Sequence, residues 1–128
     1  MTLEAAEIPS KEDIKTMTED SLLAFGEAVK NKDFSDFYDD IADLWQKQTT
    51  AKKLLEAFKT FTDQDIDLTN AIKGLEPLFS STKIDPDNNV LIISGYYPTK
   101  PNRIIFDLKY LEEEGDWKLV GINVNLKE

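Results

Sequence analysis

The spacing of apolar residues changes along this chain, and that change limits the fold more than any other feature. Apolar residues recur about every 3.6 positions up to about residue 72, and about every second position from residue 78 to the end. The first period is typical of amphipathic helices and the second of half-buried strands. Helices followed by strands with short turns predict an α+β domain, with the helices on one face of an antiparallel sheet. Such an architecture encloses a cavity.

Three helices are predicted in the first part of the chain. Ser10 can cap the first helix, and Asp13 three residues later completes a capping-box-like pattern. Gly26 lies inside this helix and weakens it by about 1 kcal/mol relative to alanine, so we expect it to pack closely against a neighbour. The three helical stripes cover residues 10–31, 34–48 and 50–61, with one further turn at 68–72.

Four strands are predicted in the second part, at residues 78–84, 90–97, 102–111 and 117–126. Asp85–Asn89 is a turn by its chemistry, and Glu113–Asp116 is a tight hairpin with Gly115 at positive φ. A stiff loop, Pro98–Pro101, joins the second strand to the third. Strict alternation on the last strand places Leu119 on the face opposite Ile122 and Val124.

The strand that begins at Val90 carries apolar side chains on both faces, because Val90 and Ile92 alternate with Leu91 and Ile93. All helices are predicted on one face of the sheet, so the outer face needs another cover. A second copy of the chain would supply it, and a homodimer through the outer sheet face is therefore predicted. On this hypothesis, Ile93→Glu yields folded monomers.

Composition removes several classes of chemistry. The 128 residues include no cysteine and no histidine. Disulfides, thiolate nucleophiles, the commonest metal ligand and the usual proton shuttle near neutral pH are therefore absent. A chain of this length buries enough surface to fold without a disulfide or a structural metal, so residues 10–128 are predicted to form one α+β domain.

The formal net charge of −10 argues against nucleic acid and anionic membranes as partners. No apolar run approaches the ~20 residues that a membrane span needs. Residues 1–4 lack the basic and apolar regions of a signal peptide, so the chain is either cytoplasmic or a mature domain. The polar start, residues 1–9, is predicted to be a flexible N-terminal segment or linker. This start favours an exported domain.

Two acidic segments begin like calcium-binding loops. Asp63–Asp67 begins like an EF-hand loop, but Leu68 stands where the loop needs glycine and Gly74 where it needs glutamate. Asp85–Asn89 fails at the same two positions. We therefore predict no metal ion and no cofactor.

The remaining chemistry belongs to carboxylates and phenols. A tyrosine at the edge of the core with a satisfied hydroxyl is the simpler interpretation of each phenol, and Asp107 is predicted to point away from the cavity. The groups available for this chemistry are Tyr38, Asp39, Tyr96, Tyr97, Asp107 and Tyr110.

Ten residues are the candidates for lining a ligand cavity between helices and sheet, and many of them could instead fill that space as core. They are Phe34, Phe37, Tyr38, Ile41, Trp45, Phe58, Tyr96, Phe106, Leu108 and Ile122.

The helix segment at residues 32–38, the strand Ile105–Tyr110 and the segment Gly115–Ile122 resemble the nuclear transport factor 2-like superfamily. Small bacterial exported members of unknown function are the most similar in character. The resemblance implies three helices on a bent antiparallel sheet of about four strands, a cone of the cystatin-like kind. It also implies a cavity inside the cone and frequently a dimer through the sheet. Enzymes of this superfamily place Asp, His or Tyr in the cavity; this chain has no His.

The function predicted is a non-catalytic binding or interaction module with a cavity for a small apolar molecule. One alternative is a cofactor-independent isomerase or lyase, in which Tyr38 or Tyr96 polarises a carbonyl and a buried Asp or Glu moves the proton. Another alternative is a structural accessory domain of a larger assembly.

Overall fold

The computed structural model describes residues 8–64, 66–100 and 102–127. The predicted N-terminal segment lies outside the described residues except for Ile8 and Pro9, and the predicted loop Pro98–Pro101 lacks its last residue. In the described part of the chain, six helices precede four strands, which confirms an α+β fold. The helices are α1 Lys11–Asn31, α2 Ser35–Asp40, α3 Asp43–Gln46, α4 Ala51–Ala57, α5 Lys59–Asp63 and α6 Leu68–Ile72. The strands are β1 Leu78–Asp85, β2 Val90–Tyr97, β3 Arg103–Glu113 and β4 Asp116–Lys127.

The predicted number of three helices is wrong, because two apolar stripes each cover a break. The second stripe is interrupted at Ile41 and Ala42, whose ψ angles of 167° and 145° are extended. Here the Ala42 amide donates to the Leu119 carbonyl of β4 at 2.8 Å instead of to a helical carbonyl. The third stripe is interrupted at Phe58, between α4 and α5. The helical spacing of the apolar residues continues across each break, so the spacing does not show where a helix ends.

Several local signals act as predicted. Ser10 Oγ accepts from the Asp13 amide at 3.2 Å at the start of α1. Asp85 Oδ1 accepts from the Asp87 amide at 2.9 Å in the turn between β1 and β2. At the β3–β4 hairpin, Gly115 has a φ of 86°. These elements depend on neighbouring residues alone, which explains why the sequence predicts them.

The four strands form one antiparallel sheet in the order β1-β2-β3-β4. The inner face, which packs against the helices, carries the buried side chains of β2 and β3: Leu91, Ile93, Tyr97, Ile104, Phe106, Leu108 and Tyr110.

A bulge changes the face of the residues in β4. Gly121 is opposite Lys109 while Leu119 is opposite Tyr110, which leaves Val120 as the extra residue. Leu119 is therefore on the inner face together with Ile122 and Val124, and the predicted opposition of these residues is wrong.

Ile93 is not on the outer face. It is fully buried in the core, whereas Ile92 points to the outer face opposite Lys109. Ile93→Glu would place a carboxylate in the apolar interior and unfold the domain, so the prediction of folded monomers is wrong for that substitution. Ile92 is the position that probes the outer face.

The core is centred on Phe25 of α1, which is fully buried. Its ring meets the rings of Phe34, Phe37, Phe58 and Phe61 edge to face, with centroid separations of 6.0, 6.1, 4.8 and 5.6 Å. Edge-to-face pairs at such distances are favourable beyond the area they bury. This aromatic cluster holds α1 against α2, α4 and α5.

Gly26 lies on the side of α1 that faces α6. A Cβ at this position would be 2.7 Å from Thr69 Oγ1 and 3.3 Å from Leu68 Cβ. The predicted close packing at Gly26 is confirmed, and it brings α6 against α1.

Candidate functional site

Nine of the ten candidate cavity residues are brought together, as packed core. Phe34, Phe37, Ile41, Phe106 and Leu108 are buried. Tyr38, Trp45, Phe58 and Ile122 are partly buried and pack against them. Tyr96 lies on the outer sheet face, opposite Leu78 and Ile105, and does not join this group.

The phenols and acids proposed for chemistry are dispersed. Tyr38 Oη donates to the Gln46 carbonyl at 2.9 Å, and Tyr110 Oη donates to the Met17 carbonyl at 3.0 Å. Asp39 is exposed. Asp107 points to the outer face, as predicted, and accepts from Ser94 Oγ at 2.6 Å. Within the described ranges, no hydrogen bond joins a tyrosine hydroxyl to a carboxylate.

A cleft of about 570 Å³ opens between α1, α6 and the turn that follows α6; we call it the α1–α6 cleft. Close packing at Gly26 joins the two helices at one end of this region. The residues that line the cleft are Lys15, Glu19, Leu23, Thr69, Asn70, Ile72, Lys73, Gly74, Leu75, Glu76 and Tyr97.

Tyr97, at the end of β2, is the most unusual residue of this cleft. It is 0% exposed, and among the described residues its hydroxyl oxygen has no hydrogen-bond partner. Burial and, to a smaller degree, the charge of Glu19 raise the pKa of Tyr97 well above its usual value. A buried hydroxyl without a partner costs about 1–3 kcal/mol, which is a reason to expect a partner from outside the chain.

Thr69 adds a second such group on the α6 side of the cleft. Its hydroxyl oxygen is buried and also lacks a partner within the described part of the chain. This hydroxyl faces Gly26 in the close contact between α1 and α6, so the Tyr97 hydroxyl is the group that a ligand would bond.

The rim of the cleft carries charges of both signs. Lys15 Nζ is 2.9 Å from Glu76 Oε1 and 4.0 Å from Glu19 Oε1. The bond to Glu76 raises the pKa of Lys15 and is its main interaction. Glu19 is left as the acid whose charge acts on Tyr97.

A smaller cavity of about 210 Å³ lies on the other side of α1, beside Tyr110, Asp20, Asp40 and Trp117. The Tyr110 hydroxyl is 2.5 Å from Ser21 Oγ and bonds the Met17 carbonyl. Its hydrogen-bonding capacity is thus used within the chain, and this cavity offers less to a ligand than the α1–α6 cleft.

The outer sheet face combines apolar and basic side chains. Ile92, Tyr96, Ile105 and Leu111 are partly buried along its centre. Arg103 lies over the Tyr96 ring, 5.1 Å from its centroid. The other basic residues of this face are Lys83, Lys109, Lys118 and Lys127. Asp85 and Asp107 add negative charge to the same face, and its apolar centre would be the main contact between two copies packed face to face.

Sequence reasoning included Tyr97 among the phenols but missed the α1–α6 cleft. The walls come from α1, α6, a turn and the end of β2, and no periodic pattern connects these segments. The one usable signal was a hydroxyl-bearing residue on the same face of β2 as Leu91 and Ile93, because a polar atom on a buried face needs a partner.

No family model, curated protein or solved structure significantly matches this chain. Among the described residues there is no cluster of acidic side chains suited to hold a metal ion. No helix in the same ranges is long and apolar enough to cross a membrane.

Proposed function

We propose that this protein is a non-catalytic binding module whose α1–α6 cleft takes a small, largely apolar molecule with one hydrogen-bonding group. The observation that carries the proposal is that Tyr97, a residue that lines the cleft, has a buried hydroxyl without a partner among the described residues. Leu23, Ile72 and Leu75 supply apolar surface around it. The volume of about 570 Å³ lies within the range usual for sites of small molecules.

The isomerase or lyase alternative has less support. It needs a base within reach of a phenol, and the Tyr38 hydroxyl bonds a backbone carbonyl while Tyr96 is on the outer face. The structural accessory domain has no specific observation in its favour.

The resemblance to the nuclear transport factor 2-like superfamily is also a proposal. It is supported by the order of elements, helices first and then a four-stranded antiparallel sheet. The resemblance implies a cavity between the helices and the sheet. In this protein Phe34 and Phe106 are buried in that region as part of the core. The proposed binding site is therefore beside α1.

Tyr97→Phe should weaken the binding of octanol to the cleft about five- to tenfold, because it removes one hydrogen bond to the ligand. The free energy of unfolding should stay unchanged or rise, since the variant no longer buries an unpartnered hydroxyl. Titration calorimetry and thermal melts of both proteins measure the two effects.

Tyr110→Phe is the matched control. It removes a hydroxyl that is bonded to Ser21 and Met17, so it should lower stability and leave octanol affinity unchanged. Equal octanol affinity in the wild type and Tyr97→Phe, or no saturable binding, would rule out this cleft as the site.

The predicted homodimer would use the outer sheet face. Ile92→Glu should then convert a dimer into a folded monomer, because it places a carboxylate in the centre of the apolar contact. Light scattering gives the mass of each protein, and circular dichroism checks the fold. Gln48→Glu, which adds the same charge at an exposed position after α3 and outside the sheet, is the control. One mass for the wild type and Ile92→Glu would contradict the interface.

A further inference from the structure

We infer that the polar group recognised in the α1–α6 cleft is a primary ammonium, so that the ligand is an amine with an apolar body. This inference rests on the proposed function and identifies its ligand class. It is based on which polar groups line the cleft and on where the charges of its rim are directed.

The cleft offers acceptors of the kind an ammonium needs. Tyr97 and Glu19 both line the cleft, and the Tyr97 hydroxyl has no partner among the described residues. An ammonium has three N–H donors and no acceptor, and the carboxylate of Glu19 is acceptor only. A carboxylate ligand could accept from the Tyr97 hydroxyl, but it would meet the partly buried Glu19 as a like charge. The basic residue on the α6 side, Lys73, is exposed, so water screens its charge more strongly than that of Glu19.

The carboxylate of Glu19 remains available to a ligand. Lys15 directs its hydrogen bond to Glu76 at 2.9 Å and stands 4.0 Å from Glu19. An ion pair between partly exposed side chains at that separation contributes little. A cation closer to Glu19 would therefore meet a carboxylate that no short bond occupies.

The electrostatic effect of Glu19 on the Tyr97 hydroxyl also favours a cationic ligand. Glu19 is the charged residue that acts on Tyr97, and its effect raises the pKa of the hydroxyl. A positive group beside Tyr97 would be stabilised by the same field that disfavours a phenolate. The net charge of −10 adds a long-range attraction for cations.

The apolar body of the ligand has surface to cover. Leu23 of α1 and Leu75 of the turn after α6 are each 37% exposed, and Ile72 of α6 also lines the cleft. An alkyl or aryl group would remove part of this surface from water, which favours binding by about 25 cal/mol per Å².

A matched series of octylamine, octanol and octanoate separates head-group recognition from apolar binding, because the three probes share one chain. At neutral pH and low salt, the wild-type protein should bind octylammonium at least about tenfold more tightly than octanol, with octanoate weakest. Added salt should weaken the binding of octylammonium and leave that of octanol nearly unchanged. Titration calorimetry measures all three affinities.

Glu19→Gln should remove the preference for octylammonium and leave octanol affinity within about twofold of the wild type. Glu27→Gln is the matched control, because Glu27 is exposed on α1 outside the cleft and the change in net charge is the same. This control should keep the full preference. Thermal melts of both variants check that they fold.

The outcomes distinguish the two proposals. Octylammonium that binds no more tightly than octanol, or that loses equal affinity in Glu19→Gln and Glu27→Gln, would overturn the ammonium inference. Tyr97-dependent octanol binding would then still support the cleft as a binding site. If no probe binds in a manner that depends on Tyr97, the proposed function fails, and the ammonium inference fails with it.

Discussion

Replacing Phe25 by alanine should lower the free energy of unfolding by about 3–5 kcal/mol. Phe25 is 0% exposed, and its ring contacts four other phenylalanine rings, which come from α2, from α5 and from the residues just before these two helices. Removing it leaves a cavity bordered by stiff rings that collapse poorly, so both the transfer cost and the cavity cost apply. Against a total stability of about 5–15 kcal/mol, this loss is large.

Urea unfolding followed by circular dichroism measures this loss. Leu44→Ala is a suitable control, because Leu44 is 50% exposed on α3 and its truncation should change stability by less than about 0.5 kcal/mol. Similar unfolding midpoints for the two variants would show that the aromatic cluster does not stabilise the domain.

Gly95→Ala should lower the free energy of unfolding by about 3 kcal/mol. The reason is steric, because Gly95 lies on the inner face of β2 where β1 is irregular. A Cβ there would overlap the Leu78 carbonyl oxygen and approach Phe106 Cζ to 2.9 Å and Phe79 Cα to 3.0 Å. Two of these three atoms belong to backbone and cannot move without breaking the β1–β2 pairing.

Gly121→Ala supplies the comparison within the same sheet. The nearest atom to its new Cβ is Lys109 Cβ at 3.6 Å, an ordinary contact. This variant should keep or slightly raise the wild-type stability, because alanine reduces the entropy of the unfolded chain. Thermal melts of both variants decide the matter, and equal melting temperatures would contradict the close approach at Gly95.

Local patterns predicted much of the fold. The alternation of Leu91 and Ile93 with Ile92 identified β2 with its observed bounds, and the turn chemistry of Gly115 identified the β3–β4 hairpin. Distant contacts account for the errors. The break at Ala42 depends on a hydrogen bond to Leu119, and the bulge at Val120 depends on pairing with β3. The residues next to the break and the bulge carry no pattern that predicts either feature.

The candidate site was harder to predict, because apolar periodicity identifies residues of the hydrophobic core and not residues that line a cleft. Phe34, Phe37 and Phe106 were chosen as cavity candidates by the same spacing that buries them. The α1–α6 cleft depends on how α6 and its following turn pack beside α1, and on the orientation of Tyr97 at the end of β2. Only tertiary packing shows that this hydroxyl lacks a partner.

The bond between Ala42 and Leu119 bears on aggregation. β4 is an edge strand, and from Leu119 to Leu126 it has no charged side chain, with Lys118 and Lys127 as the flanking charges. An uncharged free edge is a template on which strands of other molecules can add. The corner between α2 and α3 occupies the Leu119 carbonyl, and the bulge at Val120 interrupts the regular ladder. If that corner detached, a longer part of the β4 edge would be open to pairing with other molecules. The α2–α3 corner therefore protects this edge from fibril growth.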